Sequence, residues 1–311
     1  MSKFLVTGSV IVNDIYQSDG SCAKGFLGGS IYAVNGILPY TDDVLFLSSA
    51  GKDFDQYFGD YFRRNGLRTD GVELCYEKTH YTKLEYLETG EWSEKSIYGK
   101  QYDELYNSDS SIKVEYILKH GGDDVLGIYF ESAVDDKIWQ DLNLIRKKCP
   151  NAKIMAEIYT SDTKDPSLKD KVIDLIKKVD IYSLNGFEAM SLFGTNSEED
   201  SIKAILDLNV ACFFRLGKKG SCMIQDGKVC FAESSESKES VDSTGCGNCS
   251  TGAALYGFAN GFDPLKTAIY ANVAAGVNAR QHGPFPEYTK EVKQWMVEKA
   301  EELYKKQKEN M

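Results

Sequence analysis

The sequence predicts an α/β fold in which helices cover both faces of a mostly parallel β-sheet. Short, continuous apolar segments alternate with amphipathic stretches along most of the chain. Such segments are typical of strands buried on both faces, and their alternation with helices favours a parallel sheet between two helical layers. With 311 residues, 42% of them hydrophobic, the chain is long enough to bury the core of this three-layer sandwich.

The predicted elements follow one another in a regular order. The expected strands are the apolar segments 4–11, 44–49, 125–130, 154–158, 181–184 and 210–216. Apolar residues at helical spacing predict helices between them, around 57–65, 136–147 and 168–178. Beyond the last strand we expect three more helices, over about 249–260, 265–277 and 292–303.

One region departs from this alternation. Residues 72–99 are rich in Tyr and Thr and alternate in polarity, which is typical of antiparallel strands with one exposed face. The sequence has no internal repeat, low-complexity segment or long linker. We therefore expect residues 1–311 to form one domain that carries a small β excursion.

Charge and composition argue against several classes of protein. The chain carries 36 Lys and Arg against 47 Asp and Glu, a net charge of −11 without a basic run, which disfavours nucleic acid or an anionic membrane as partner. No segment approaches 18 consecutive apolar residues, and the N-terminus lacks the features of a signal peptide. Eight cysteines without a short-loop pattern favour a reducing, cytoplasmic location.

The most informative segment is VDSTGCGNCSTGA, residues 241–253. Gly245 and Gly247 permit backbone conformations that other residues resist, so successive amides can point at one anion. The positive end of the following helix adds to that attraction. The segment therefore predicts a phosphate-binding turn, although an ordinary Gly-rich helix cap fits the same pattern.

Cysteine chemistry is a further interpretation of this segment. Cys246 and Cys249 form a C-x-x-C at a helix start, where a thiol–disulfide oxidoreductase would lower the pKa of a thiol. The length of the chain and the number of predicted strands disfavour a thioredoxin-like domain. A zinc site is also disfavoured, because Cys212, Cys222 and Cys230 lack the paired short spacing of zinc ribbons.

The same segment resembles the second signature of the ribokinase-like (PfkB) family of sugar and nucleoside kinases. The family pattern ends in Gly-Asp, and that Asp removes the proton from the substrate hydroxyl that attacks the γ-phosphate. Here the turn is Gly245, Cys246 and Gly247, and Asn248 replaces the Asp. The resemblance implies catalytic roles for these four residues, with a proton-transfer step that is impaired or differently assisted. It also admits a K⁺-like monovalent ion near Asp242.

Three further segments resemble the substrate side of that family. GSVIVND places Asp14 where the family binds sugar hydroxyls, a task that suits a carboxylate because it accepts several hydrogen bonds. Gly28 and Gly29 match a Gly-Gly element against which substrate lies, although Ala33 stands where a substrate-binding Asn is usual. In FESA, Glu131 is a second candidate for contact with substrate.

Other segments resemble the nucleotide side. Asn185 and Glu188 match an Asn-x-x-Glu motif that organises Mg²⁺ and phosphate, Glu188 acting through water, but an ordinary helix capping box has the same spacing. Gly217 and Gly220 match the floor of the nucleotide site, where Arg215 replaces the usual Thr. Asn272 falls where family members line the adenine pocket.

Taken together, the resemblance implies a ribokinase-like fold with a small β lid formed by about 10–30 and 72–100, through which many members form homodimers. It implies transfer of a phosphoryl group from ATP, with Mg²⁺, to a hydroxyl of a sugar, polyol or nucleoside. The alternative, which Asn248 favours, is a catalytically inactive protein of this fold that binds nucleotide or sugar as a regulatory or interaction module.

Overall fold

The computed structural model describes residues 2–87, 92–103, 113–235 and 240–310. Its strands form a large and a small sheet. They are β1 (Phe4–Thr7), β2 (Val10–Tyr16), β3 (Cys22–Gly29), β4 (Val44–Gly51), β5 (Val72–Tyr76), β6 (His80–Tyr86), β7 (Trp92–Ser96), β8 (Gly127–Glu131), β9 (Lys153–Glu157), β10 (Ile181–Asn185), β11 (Ala211–Arg215), β12 (Gly220–Gln225) and β13 (Lys228–Glu233).

The large sheet has the order β13-β12-β11-β10-β9-β8-β1-β4-β5. The strands in the part of this order that runs from β11 to β5 are all parallel. Strands β12 and β13 are added antiparallel at one edge. Its central strands are buried on both faces, because helices cover both sides. The predicted mostly parallel sheet is confirmed.

Helices form one layer on each face of this sheet. They are α1 (Ile31–Ile37), α2 (Phe54–Arg64), α3 (Val114–His120), α4 (Leu142–Lys148), α5 (Thr160–Lys164), α6 (Lys169–Ile176), α7 (Gly186–Phe193), α8 (Glu198–Leu208), α9 (Cys246–Ala259), α10 (Pro264–Asn278) and α11 (Lys290–Glu309). Strand alternation divides the core: Phe4 and Val6 pack with α1, α2, α9, α10 and α11, whereas Leu5 packs with α3, α4, α6, α7 and α8. The three-layer arrangement is confirmed.

The small sheet has the order β3-β2-β6-β7 and draws on both segments in which the sequence predicts the lid. Strand β5, which that prediction includes, instead pairs in parallel with β4 in the large sheet. This strand lies at the sheet edge and its middle residues are exposed. An edge strand is not fully covered by its neighbours, so it needs no continuous apolar sequence. The sequence pattern of β5 is therefore the same as the pattern expected of a lid strand.

The predicted strand 4–11 is two strands in two sheets. Gly8 has φ +148°, and a Cβ at this position would lie 1.7 Å from Ser30 Oγ. The chain therefore turns from β1 into β2 at a position that only Gly allows. Because the sequence is apolar on both sides of this turn, its pattern predicts one continuous strand.

Helix boundaries differ from the predictions in places. The helix expected at 136–147 is a 3₁₀ turn, Lys137–Gln140, followed by α4. Helix α9 begins at Cys246, earlier than expected, because Gly245 caps it with φ +73°. Helices α1, α3, α5 and α8 are not predicted from the sequence. Among the described residues, none of the helices combines the length and apolar character needed to cross a membrane.

Candidate active site

Four neighbouring strands of the large sheet end in polar residues. Glu131, Glu157, Asn185 and Arg215 are the last residues of β8, β9, β10 and β11. In register, Glu131 lies beside Glu157 and Asn185 beside Arg215. Because parallel strands present their carboxyl ends at one edge of the sheet, these side chains converge where ligands bind in such folds.

Arg215 links two buried carboxylates at this edge. Its Nη1 lies 3.0 Å from Glu157 Oε1 and its Nη2 lies 3.2 Å from Glu188 Oε2. Burial lowers the pKa of this guanidinium, but the two carboxylates outweigh that effect and raise it. Its buried Nε–H has no hydrogen-bond partner in the part of the chain that the structure describes. An Arg held in this way keeps one donor for an anion.

The Gly-rich turn lies against Arg215. A Cβ on Gly245 would lie 2.2 Å from the Tyr32 ring, and one on Gly247 would lie 2.3 Å from Arg215 Nη1. Position 245, where φ is +73°, therefore requires Gly, and a side chain at residue 247 would have to displace the Arg215 guanidinium. The Cys246 amide donates to the Ser243 carbonyl oxygen at 3.1 Å, so this amide is less available to a ligand than predicted. The next amides, at the first turn of α9, have no acceptor within the helix and carry its positive end toward the site.

The turn and the strand ends border a cleft of about 400 Å³. Its lining includes four of the predicted nucleotide-side residues, Asn185, Gly217, Gly220 and Asn272, together with Gly247 of the turn. Arg215 and Cys246 also line it. The cleft thus brings together residues far apart in sequence, with helix-start amides and a cation at one end.

Asn185 and Glu188 form the capping box at the start of α7. The Glu188 amide donates to Asn185 Oδ1 at 2.9 Å, and the Asn185 amide donates to Glu188 Oε2 at 2.7 Å. Glu188 Oε1 also accepts from Thr160 Oγ1 at 2.8 Å. The capping role anticipated from the sequence is therefore formed, and the part of Glu188 in binding Mg²⁺ stays a prediction.

Asn272 lines the cleft with a side chain that is already bonded. Its Oδ1 accepts from Ser221 Oγ at 2.8 Å, and its Nδ2 donates to the carbonyl oxygens of Ala232 and Glu233 at 3.0 Å each. These bonds tie α10 to β12 and β13. Because the polar atoms of the Asn272 side chain are already hydrogen-bonded, a ligand in the cleft would contact the surface of this side chain and not a free polar atom. Contact with an adenine stays a prediction.

Asn248 and Glu131 face each other on the other side of the turn. Asn248 Nδ2 donates to Glu131 Oε1 at 2.9 Å and to the Tyr129 hydroxyl at 3.1 Å. Ser30 Oγ donates to Glu131 Oε2. Burial first, and then the nearby Glu157 carboxylate, raise the pKa of Glu131 to about 7. Tyr129 in turn donates to Glu157 Oε2 at 2.5 Å, which joins this pair to Arg215.

The small sheet contacts this site through Tyr86, whose hydroxyl is 3.0 Å from Thr244 Oγ1. Asn13 Oδ1 accepts from Thr82 Oγ1 at 2.8 Å, and its Nδ2 lies 2.2 Å from where a Gly28 Cβ would be. Neighbouring Asp14 accepts from the Gly25 amide and from the Tyr81 hydroxyl instead. Consecutive strand residues point to opposite faces, so Asn13 and not Asp14 shares a face with Gly28.

Asn13 is thus a candidate that the sequence analysis missed. The period of two in β2 was the signal that could have found it, because only one of two adjacent polar residues can face the Gly-Gly element. Gly29, the second member of that element, has φ +74°, and a Cβ on it would lie 2.3 Å from the Ser9 carbonyl oxygen.

The cysteine interpretation of the turn is wrong on physical grounds. Burial raises the pKa of the Cys246 thiol to about 11 and raises that of Cys249 further. A redox-active C-x-x-C requires the opposite shift. Both thiols are free, and Cys249 is fully buried against α1. Within the described residues, no three His, Cys, Asp or Glu side chains are arranged to hold a metal ion.

Comparison with known proteins identifies the family of this site. The chain matches the model of the pfkB family of carbohydrate kinases over residues 35–289, which include the turn, the strand ends and the cleft. The chain belongs to the pfkB carbohydrate kinase family. The resemblance stated from the sequence is confirmed. No curated protein sequence matches the chain.

Solved structures agree with this pfkB fold. A probable sugar kinase from Rhizobium etli CFN 42 superposes with a TM-score of 0.74 and 18% identity, over 96% of this chain and 100% of that one. Adenosine kinase from Sinorhizobium meliloti gives 0.70 and 17%, over 92% and 96%. Fructokinase from Vibrio cholerae O395, bound to fructose, ADP and calcium ion, gives 0.71 and 15%, over 96% and 99%. At these identities the likeness establishes the fold.

Proposed function

We propose that this pfkB-family protein transfers the γ-phosphoryl group of ATP to a hydroxyl of a sugar, polyol or nucleoside. The observation that carries the proposal is the cleft itself, in which Gly247, the start of α9 and Arg215 meet. Helix-start amides and a guanidinium are the donors that phosphate oxygens need. The buried Nε of Arg215, which has no hydrogen-bond partner among the described residues, fits an anionic ligand.

The proposed roles of the residues follow their positions. Arg215 and the amides after Gly245 hold phosphate oxygens, while Gly217 and Gly220 form the floor of the cleft. Mg²⁺ supplied with ATP would neutralise the charge of the phosphate oxygens. Glu188 is proposed to orient water on that ion, and Asn185, which lines the cleft, is proposed to do the same.

The hydroxyl substrate is proposed to lie between the small sheet and the ends of β8 and β9. Asn13 and Gly28 on the small sheet and Glu131 on the large one supply the polar contacts. Asp14, the residue named from the sequence, is proposed to act on substrate through Tyr81, because its carboxylate is bonded to that hydroxyl. The small sheet is also the proposed homodimer contact, and a cytoplasmic location remains our expectation.

A monovalent ion such as K⁺ near Asp242 is a weaker proposal. Asp242 Oδ1 accepts from the Thr244 amide at 3.0 Å and from Thr244 Oγ1 at 2.7 Å. Its Oδ2 lies 3.1 Å from His282 Nδ1. An ion would have to share this carboxylate with those partners. A comparison of turnover in K⁺ and in tetramethylammonium salts tests the proposal.

Asn248 favours a second candidate function, an inactive protein that binds nucleotide or sugar. An amide side chain cannot accept a proton at neutral pH. Calorimetry with Mg·ATP and a transfer assay over a panel of sugars, polyols and nucleosides separate the two candidates. Transfer to one class of hydroxyl supports the kinase. Binding of either ligand without transfer supports the binding protein. No binding of ATP analogues at millimolar Mg²⁺ rejects the kinase, and no binding of ATP analogues or of any compound of the panel rejects both.

A further inference from the structure

The replacement of Asp by Asn at position 248 leaves a chemical need that another group must meet. When a hydroxyl attacks phosphorus, its proton has to leave, and a positioned base makes that transfer faster. Asn248 cannot be that base, since its amide nitrogen donates hydrogen bonds and its oxygen is not basic. The proton acceptor must therefore be sought among the groups that Asn248 touches.

Glu131 is the carboxylate that Asn248 touches. Asn248 Nδ2 donates to Glu131 Oε1 at 2.9 Å, and Ser30 Oγ donates to Oε2, so both oxygens are held in fixed positions. Each carboxylate oxygen has a second lone pair, which leaves room for a hydroxyl proton. Glu131 is half-buried, lies beside Gly8 and ends the strand next to the Gly-rich turn.

We propose that the Glu131 carboxylate accepts the proton of the substrate hydroxyl, and that Asn248 is the positioning residue that holds this carboxylate by its amide. This inference rests on the proposed kinase function. In the step, the hydroxyl oxygen forms a bond to the γ-phosphorus and the bond from that phosphorus to the β–γ bridging oxygen breaks. The bond's electron pair goes to ADP and the hydroxyl proton goes to Glu131, which afterwards releases it to water.

The surroundings of Glu131 suit a base that works near neutral pH. Glu157 on β9 and Glu94 on β7 are the negative groups that act on it, and both raise its pKa. Tyr129 on β8 donates a hydrogen bond to Glu157, and Arg215 on β11 forms an ion pair with it. Ser30 before α1 and Asn248 on α9 lower the pKa by hydrogen bonding. The balance of these groups places the pKa of Glu131 at about 7, close to the value at which a base is most effective.

A residue exchange tests the proposal. E131Q keeps the size of the side chain and one of its two acceptor oxygens but removes the base. The double variant E131Q/N248D returns a carboxylate to the site on the opposite side of the same hydrogen bond, with unchanged net charge. E115Q, which alters an exposed carboxylate on α3, is the matched control. Turnover, KM for the best substrate of the panel, ATP affinity by calorimetry and thermal unfolding are measured for each.

We expect E131Q to lower kcat by about 10²–10⁴-fold with KM and ATP affinity changed by only a few fold. The double variant should recover at least about tenfold of that loss, and E115Q should match wild type. A carboxyl infrared band that is absent in E131Q should titrate near pH 7 in wild type. This last measurement needs neither ATP nor turnover.

Several outcomes overturn the proposal and leave the kinase function intact. They are an E131Q variant that keeps kcat, an E131Q variant that only raises KM, a double variant as slow as E131Q, and a carboxyl band that titrates below pH 5. A wild-type protein that binds ATP and substrate but transfers nothing rejects the proposed kinase function itself, and with it any base.

Discussion

Arg215 Nη1 lies so close to Gly247 that a Cβ on this Gly would be 2.3 Å from it. The guanidinium and the backbone of the Gly-rich turn therefore form one surface of the cleft. A side chain added at residue 247 would therefore move the Arg215 guanidinium.

Gly247→Ala should weaken ATP binding by about tenfold or more. The new methyl group would displace Arg215 from the turn, and a hydrogen bond to a charged group contributes about 1.5–3 kcal/mol. Isothermal titration calorimetry measures the effect. Gly186→Ala is the control, because its Cβ would make only ordinary van der Waals contacts, with Glu198 Oε1 at 3.4 Å. Equal affinities in the Gly247 variant and the wild type would contradict phosphate binding at this turn.

Arg215→Ala should destabilise the fold by about 3–5 kcal/mol, because it leaves Glu157 and Glu188 buried without their cation. Removing the cation takes away the group that lowers the pKa of the Glu157 carboxyl, so burial raises that pKa further above its ordinary value. A group of this kind loses stability as pH rises toward its folded pKa, so the destabilisation should be larger at pH 8 than at pH 5. Urea unfolding at the two pH values measures it. A loss that is the same at both would contradict the ion-pair role.

Glu131→Gln should make stability less dependent on pH. The folded pKa of Glu131, about 7, lies above its ordinary value of 4.5, so the wild type loses stability as pH rises between these values. The lost stability should be of order 1–3 kcal/mol, since one pKa unit corresponds to about 1.4 kcal/mol. Unfolding free energies of both proteins between pH 4.5 and pH 8 provide the measurement. Parallel pH curves would show that Glu131 titrates normally.

Asn13→Ala should raise KM for the hydroxyl substrate by about tenfold with little change in ATP affinity, because Asn13 shares a face with Gly28. Asp14→Ala should act differently. Its carboxylate ties β2 to the Gly25 amide and the Tyr81 hydroxyl, so its loss should lower the melting temperature more than it raises KM. The reverse pattern would restore Asp14 as the direct substrate contact.

Thiol reactivity should follow burial and not the C-x-x-C spacing. Cys22 and Cys75 are exposed and should react with a thiol reagent at neutral pH in the folded protein. Cys246 and Cys249 should react only on unfolding, because burial keeps both in the thiol form. Mass mapping after brief labelling measures this. Rapid labelling of Cys249 would mean that α9 opens away from α1.

Much of the fold could be predicted because it depends on local patterns. Continuous apolar strands and intervening helices specify a parallel sheet between two helical layers, and β4 and β10 lie where their segments predict. The division of 4–11 at Gly8 and the pairing of β5 with the large sheet could not be predicted in this way. Both features depend on which strand pairs with which. The apolar or alternating character of a segment does not distinguish a strand of the large sheet from a strand of the small one.

The sequence by itself determined the family and the Gly-rich turn that Asn248 follows, because spacing within a segment fixes a turn and a helix start. Only the tertiary structure decided what surrounds that turn. Strands β8 and β11 bring Glu131 and Arg215 to it from residues far away in the chain, and burial there raises the pKa of the Glu131 carboxyl. A pKa depends on desolvation and on charges that are close in space, and neither can be read from the order of residues.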